Sequence, residues 1–214
     1  MSVSLRKGQK VNLSKDNKGL TNIYIGLGWD AVTEDDVQPA EKKGLLSKIF
    51  GGDNTVERHE KMHDIDVDAS CFLCIDGKLK KDGDVVYYGN LHHSSGAVNH
   101  TGDNLTGEGE GDDESILINL NRLPDKYDRL VIVANIYEAY DRNQDFGKVK
   151  NCYIRLVNET TKEELYNYNL SDNLKGMTAL IFAEIYKKDG DWKFGAIGDG
   201  TKDGSIKKLA KRFE

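Results

Sequence analysis

Proline and cysteine are scarce: two and three in a chain of 214 residues. Few prolines leave few enforced breaks in extended chain, and together with ten tyrosines they suit an ordered, sheet-rich protein. The three cysteines, Cys71, Cys74 and Cys152, are an odd number, which argues against a disulfide framework and fits a reducing compartment. No apolar run approaches the roughly 18 residues that a membrane span needs. MSVSLRKGQK at the start lacks the apolar core of a secretory signal, so a cytoplasmic location is the expectation. Long 3.6-residue periodicities are mostly missing too, which excludes a helical bundle.

An excess of charge is missing from most of the chain. The formal net charge is −6, and Asp103, Glu108, Glu110, Asp112, Asp113 and Glu114 stand in one twelve-residue segment without a base. Taking those six from the 36 acids leaves 30, equal to the 30 bases. A basic footprint for nucleic acid is therefore absent, and no nucleic-acid partner is expected.

What is present is alternation with a period of two. It predicts strands at Asn22–Trp29, Asp68–Ile75, Val85–Tyr88, Ser115–Leu120, Arg129–Tyr137, Cys152–Asn158, Glu163–Asn169, Ala179–Tyr186 and Trp192–Ile197. Asp76-Gly77, Asp82-Gly83 and Asp189-Gly190 supply turn chemistry between them. The expected fold is mainly β: a two-sheet β-sandwich with a C-terminal helix and a few short helical turns. SIKKLAKRFE predicts that helix, with Ser205 as N-cap and Ile206, Leu209, Ala210 and Phe213 on one face. Its opposite face carries Lys207, Lys208, Lys211 and Arg212. This reads as a solvated surface, or alternatively as a membrane or partner contact. A short helical turn is expected at Glu138–Gln144. One domain is expected to span residues 1–214, with a mobile insertion at about 31–64 that contains an apolar knot, KKGLLSKIFGG.

The segment TGDNLTGEGEGDDE, residues 101–114, concentrates like charges among glycines. Repulsion and backbone entropy both oppose folding such a stretch. A hard divalent cation removes the repulsion: Ca²⁺ takes six to eight oxygens from carboxylates, amide side chains and backbone carbonyls. The EF-hand pattern fails, because positions 3, 5 and 6 of a loop starting at Asp103 would be Leu105, Gly107 and Glu108. Further oxygens come from DIDVD, where Asp64, Asp66 and Asp68 alternate as a strand begins, and from Asp30 after GLGW. Three acidic strand ends meeting at one end of a sandwich would build a multi-oxygen cage.

Taken together, MSVSLRKGQKVNL, GLTNIYIGLGWD, DIDVDAS, HTGDNLTGEGEGDDE, FGKV and TALIFAEIY with WKFGAIGDG resemble the TerD family, the tellurium-resistance and general stress proteins of bacteria. The resemblance covers nearly the whole chain. It implies a calcium site within the sandwich, usually of two ions, a cytoplasmic stress-response role with protein partners, and no catalysis. It carries ligand roles over to Asp30, Asp66, Asp68, Asp103, Asn104, Gly107, Glu108, Glu110, Asp112, Asp113 and Glu114. The chain departs from the family pattern in one place: residues 31–64 stand where relatives have a short loop.

Competing motifs are weaker. HEKMH, residues 59–63, matches the zincin signature formally, with His59 and His63 as ligands and Glu60 as base, but it lies in a charged loop without a third ligand. Cys71 and Cys74 sit three apart in a strand and so point to opposite faces. His92, His93 and His100 read as solvated loop residues, and GDGTKDG as turns. The expected function is a non-catalytic calcium-binding module. The alternatives are a scaffold in peripheral contact with a membrane, calcium being purely structural, and a zinc hydrolase using HEKMH.

Overall fold

The computed structural model describes residues 2–30, 65–102, 111–170 and 172–214. Through them run β1 (Val3–Ser4), β2 (Lys10–Asn12), α1 (Leu13–Asp16), β3 (Asn22–Asp30), β4 (Val67–Ile75), β5 (Lys78–Leu79), β6 (Val85–Val86), β7 (Val98–His100) and β8 (Glu114–Asn119). Then follow β9 (Arg129–Ile136), β10 (Lys150–Asn158), β11 (Glu163–Asn169), β12 (Ala179–Lys188), β13 (Asp191–Thr201) and α2 (Ile206–Ala210). They build the expected β-sandwich. One sheet, sheet A, has the order β1-β11-β10-β3-β8-β7; the other, sheet B, has β2-β13-β12-β9-β4-β5, with β6 paired to β4.

The period of two makes the sandwich. Along β3, Ile23, Ile25, Leu27 and Trp29 are buried between the sheets, while Tyr24, Gly26 and Gly28 take the opposite face. Along β4, Val67, Ala69, Cys71 and Leu73 join the inner core, and Phe72 and Cys74 join a second apolar cluster with Leu209, Ala210 and Phe213. That second cluster covers the outer face of sheet B, so β4 is buried on both sides and reads as an unbroken apolar run. Ser205 caps α2 by accepting from the Lys208 N–H, as its position in SIKKLAKRFE predicts. The chain then tightens into a 3-10 turn at Lys211–Phe213, which sets the Phe213 ring edge-on to Phe72 at 5.5 Å.

Several local expectations change. Asp76-Gly77 and Asp189-Gly190 do form two-residue hairpin turns, with positive φ at all four residues. Asp82-Gly83 instead opens a 3-10 turn, Asp82–Asp84. The strand expected at Val85–Tyr88 stops at Val86, because Tyr87 turns back to pair with Asn90. Residues 138–143 form turns rather than helix, and the helical piece there is a 3-10 turn at Phe146–Lys148. β1, β2, β5, β7 and α1 are too short to leave a periodic signal. The insertion at 31–64, with KKGLLSKIFGG and HEKMH, lies outside the described residues. No helix among the described residues is long and apolar enough to cross a membrane.

Replacing Phe213 with Ala should destabilise the protein by about 3 kcal/mol, because the ring is nearly buried and leaves a cavity over Phe72. Urea unfolding of the two chains measures it; a change under about 0.5 kcal/mol would show that the C-terminal turn does not seal sheet B.

Candidate metal centre

Antiparallel pairing brings the acidic strand ends together. β3 ends at Asp30 and β8 begins at Glu114, and the two are neighbours in sheet A, with Leu27 opposite Glu114. β4 begins at Val67 beside the end of β9 in sheet B, with Asp68 opposite Asn135. The two sheets are joined at this end by Glu114. Its Oε2 accepts from the Ala69 N–H, a group on the stretch of β4 edge that neither β5 nor β6 reaches. Trp29 adds a second tie, its indole N–H donating to the Ile65 carbonyl at 3.2 Å.

His100 completes the edge. Its Nδ1 accepts from the Gly102 N–H at 3.2 Å, so Nε2 carries the proton. Nε2 donates to the Ala69 carbonyl at 3.2 Å and stands 3.4 Å from Glu114 Oε2. The Ala69 peptide groups, exposed at a sheet edge, are thus satisfied by two buried side chains. His100 and His93 are both buried, which corrects their reading as solvated. His93 belongs to a separate network: Tyr127 Oη donates to Asp84 Oδ1 at 2.7 Å, with His93 Nε2 3.2 Å from the same hydroxyl. Of these three histidines only His92 is exposed.

The acids at this end fall into three positions. Asp66 and Asp68 are buried at the start of β4. Asn135 Nδ2 donates to Asp68 Oδ2 at 3.0 Å, and Arg142 Nη1 stands 3.7 Å from Asp66 Oδ2. Asp113 lies beside β3, its Oδ2 accepting from the Trp29 N–H and its own N–H donating to the Leu27 carbonyl, both at 2.8 Å. Burial pushes the Asp113 carboxyl above its ordinary range, the Trp29 N–H draws it down, and the charges of Asp112 and Asp30 push it up again. Asp30 is exposed and accepts from Asn151 Nδ2. Asp112 takes the third position, on the outer face of sheet A. Its carboxylate is gripped by Arg155, with Nε 2.8 Å from Oδ1 and Nη2 2.7 Å from Oδ2, and Tyr153 Oη donates to Oδ1 at 3.0 Å.

Asp103, Asn104, Gly107, Glu108 and Glu110 lie outside the described residues. Among the described residues no three His, Cys, Asp or Glu side chains form a ready-made metal cluster. The donor chemistry nevertheless suits a hard cation. It consists of oxygens, because both nitrogens of His100 are spent on backbone groups. Asn135 Oδ1 is buried and has no hydrogen-bond partner among the described residues, although its amide sits against Asp68. A buried, unsatisfied amide oxygen is costly and is a good ligand for calcium. Sequence reasoning passed over Asn135. The signal was there: one amide in the otherwise apolar run LVIVANI.

Soft-metal chemistry has no support in the cysteines. Cys71 faces the inner core and Cys74 the outer cluster, as three-residue spacing on a strand dictates. Burial pushes the Cys74 thiol up to about 11, Arg129 opposing and Asp128 and Asp84 reinforcing; burial also pushes Cys152 up to about 12.

The model of the TerD domain matches residues 1–213. The stress response protein SCP2 of Bacillus subtilis (strain 168) is 43% identical over 213 residues, covering 100% of both chains. The tellurium resistance protein TerD of Serratia marcescens is 40% identical over 205 residues, 95% of this chain and 93% of that one. Two solved structures share the fold. A homologue of telluride resistance protein (TerD) from Streptomyces coelicolor A3(2) has a TM-score of 0.62 at 19% identity, covering 92% of this chain and 99% of its own. A protein of unknown function, SAV2460, has a TM-score of 0.61 at 22% identity, covering 90% and 96%.

The thiol environments give a direct check. At pH 8 native protein should resist iodoacetamide at all three cysteines, since each is buried and kept protonated. Labelling should appear only as pH approaches 11 or after denaturation, read by intact mass. Rapid labelling of Cys74 at pH 8 would show that the C-terminal turn does not cover it.

Proposed function

The chain belongs to the TerD family of tellurium-resistance and stress-response proteins, and on that premise we propose that it is a calcium-binding, non-catalytic module of a bacterial stress response. The observation that carries this reading is the buried Asn135 oxygen beside Asp68, at the sandwich end where Asp30, Asp66, Asp113 and Glu114 also gather. Carboxylates gathered at one end raise one another's proton affinity, as Asp112 and Asp30 do for Asp113. A calcium ion converts that repulsion into ligation, and its flexible coordination tolerates oxygens arriving from several strand ends.

Two ions fit this reading. Asp66, Asp68 and Asn135 form one group on sheet B; Asp30 and Asp113 form another at the β3–β8 end of sheet A. Glu114 links them through Ala69. By sequence, Asp103, Asn104, Glu108 and Glu110 would supply further side-chain oxygens and Gly107 a backbone carbonyl. The bound ions would provide charge neutralisation and cross-linking of strand ends. This chain's own residues provide the seat, the exclusion of water by Trp29 and Ile65, and a fixed backbone. Such a module works in the cytoplasm by presenting a calcium-ordered end to protein partners. Protonated cysteines and a histidine with both nitrogens occupied support a role in binding over one in catalysis.

Thermal melts in excess Ca²⁺ and in excess chelator test the reading. The strand ends converge only in the folded chain, so calcium should add RT ln(1 + [L]/Kd), about 2.7 kcal/mol at a hundredfold excess over Kd. For this size that is roughly 5–10 °C. Asp68→Asn and Asp113→Asn should each remove most of the gain. Asp113→Asn should also raise the melting temperature in chelator by about 1–2 °C, because its carboxyl is disfavoured as an anion by burial and by Asp112 and Asp30. Identical wild-type melts in the two conditions would contradict calcium binding.

Selectivity is a separate check. Mg²⁺ demands a small octahedron and keeps its waters, so calorimetric titration should show Ca²⁺ binding at least about tenfold more tightly. Equal affinities would contradict a site built from scattered strand ends.

A further inference from the structure

We infer that Asp112 is an anchor rather than an ion ligand, and that Arg155 is a positioning residue for the calcium site, working through a seat made by Gly26 and Gly28. The inference rests on the calcium reading above and assigns roles within it.

The Asp112 side chain is 2% exposed, and both its oxygens are engaged. Oδ1 accepts from Arg155 Nε at 2.8 Å and from Tyr153 Oη at 3.0 Å; Oδ2 accepts from Arg155 Nη2 at 2.7 Å and Nε at 2.9 Å. This is the planar fork of guanidinium on carboxylate, and it fills the lone-pair directions that a cation would use. The pair is mutually reinforcing: the hydrogen bonds to Asp112 push the Arg155 guanidinium still further up, against its own burial.

The seat is written into β3. Tyr24, Gly26 and Gly28 share the outer face, and side chains at the two glycine positions would collide with the clamp. A Cβ on Gly26 would lie 2.1 Å from Asp112 Oδ2, and one on Gly28 would lie 2.4 Å from the Tyr153 ring. Tyr153 Oη also lies 2.7 Å from the Gly111 carbonyl, so its single proton is shared between that carbonyl and Asp112 Oδ1. Gly111, Asp112 and Asp113 are therefore each tied to sheet A, at a carbonyl, a carboxylate and an N–H. The tie fixes where Asp113 and Glu114 enter β8, and so where their oxygens stand. The GLG of GLGWD is explained by this clearance, which a strand does not otherwise require.

Calorimetric titration with calcium chloride, paired with melts in chelator, tests the assignment on full-length Arg155→Ala, Asp112→Asn, the double variant and Gly26→Ala. An anchor predicts that each single variant weakens calcium binding about tenfold, as loss of an outer support does. The double variant should be no weaker than the worse single one. Gly26→Ala, which removes no charge and no oxygen, should weaken binding to a similar extent. In chelator Arg155→Ala should melt lower, by leaving a buried carboxylate unpaired, and adding Asp112→Asn should recover part of the loss. A ligand role predicts the reverse pattern: Asp112→Asn weakens binding while Arg155→Ala, freeing the carboxylate, leaves it equal or tighter. That result, or full affinity in Gly26→Ala, would overturn the anchor alone. A wild-type chain that takes up no calcium would overturn both the anchor and the calcium reading. Should Arg155→Ala fail to fold, the double variant and Gly26→Ala carry the test.

Discussion

Backbone hydrogen bonding between antiparallel strands holds carboxylates at one end of this sandwich regardless of their charge. β3 and β8 must pair to bury Ile23, Ile25, Ile116 and Ile118, and β4 and β9 to bury Val67, Ala69, Ile132 and Ala134. Once they do, Asp30, Asp66, Asp68, Asp113 and Glu114 stand at the same end. Burial of four such aliphatic chains is worth several kcal/mol, which opposes repulsion among acids of which only Asp30 and Asp113 remain partly hydrated. The core thus sets an electrostatic problem that local residues resolve.

They resolve it in three different ways. Glu114 is satisfied by a sheet edge, accepting the Ala69 N–H while His100 occupies the Ala69 carbonyl. Asp112 is satisfied by a guanidinium and packs against Gly26, while Gly28 clears the Tyr153 ring beside it. Asp68 accepts from the Asn135 amide, Asp113 from the Trp29 N–H, and Asp66 has the Arg142 guanidinium 3.7 Å away. The first two arrangements complete the fold by themselves, and the third is where the proposed cation would bind. On the proposed reading, a calcium ion would be the last element of the sheet-end packing and would make that end's order depend on calcium.

Much of this was legible in the sequence. Period-two alternation located the long strands, Asp-Gly pairs located two hairpins, and the confinement of net charge to one segment singled out the acidic end. The missed pieces share a physical cause. β1 and β5 have two residues each, too few for periodicity to register. Asn135 needed the register of β9 against β4 to be seen beside Asp68. Asp112 looked like its neighbours because a run of acids carries no mark of which face each will take. Only the pairing of β3 with β10 places Arg155 opposite Gly26 and so separates it from the rest. His93 and His100 read as solvated because their partners, Tyr127, Asp84 and Ala69, are distant in sequence.

The claim that a hard cation seats beside Asp113 is tested most directly by terbium, which follows calcium chemistry and emits when a nearby indole is excited. Trp29 donates its backbone N–H to Asp113, and Trp192 lies in β13, on the other sheet. Excitation of the tryptophan band should give terbium emission that Trp29→Phe abolishes, Trp192→Phe preserves and added Ca²⁺ displaces. Absence of sensitised emission, or emission that survives Trp29→Phe, would contradict a calcium site at this end of the sandwich.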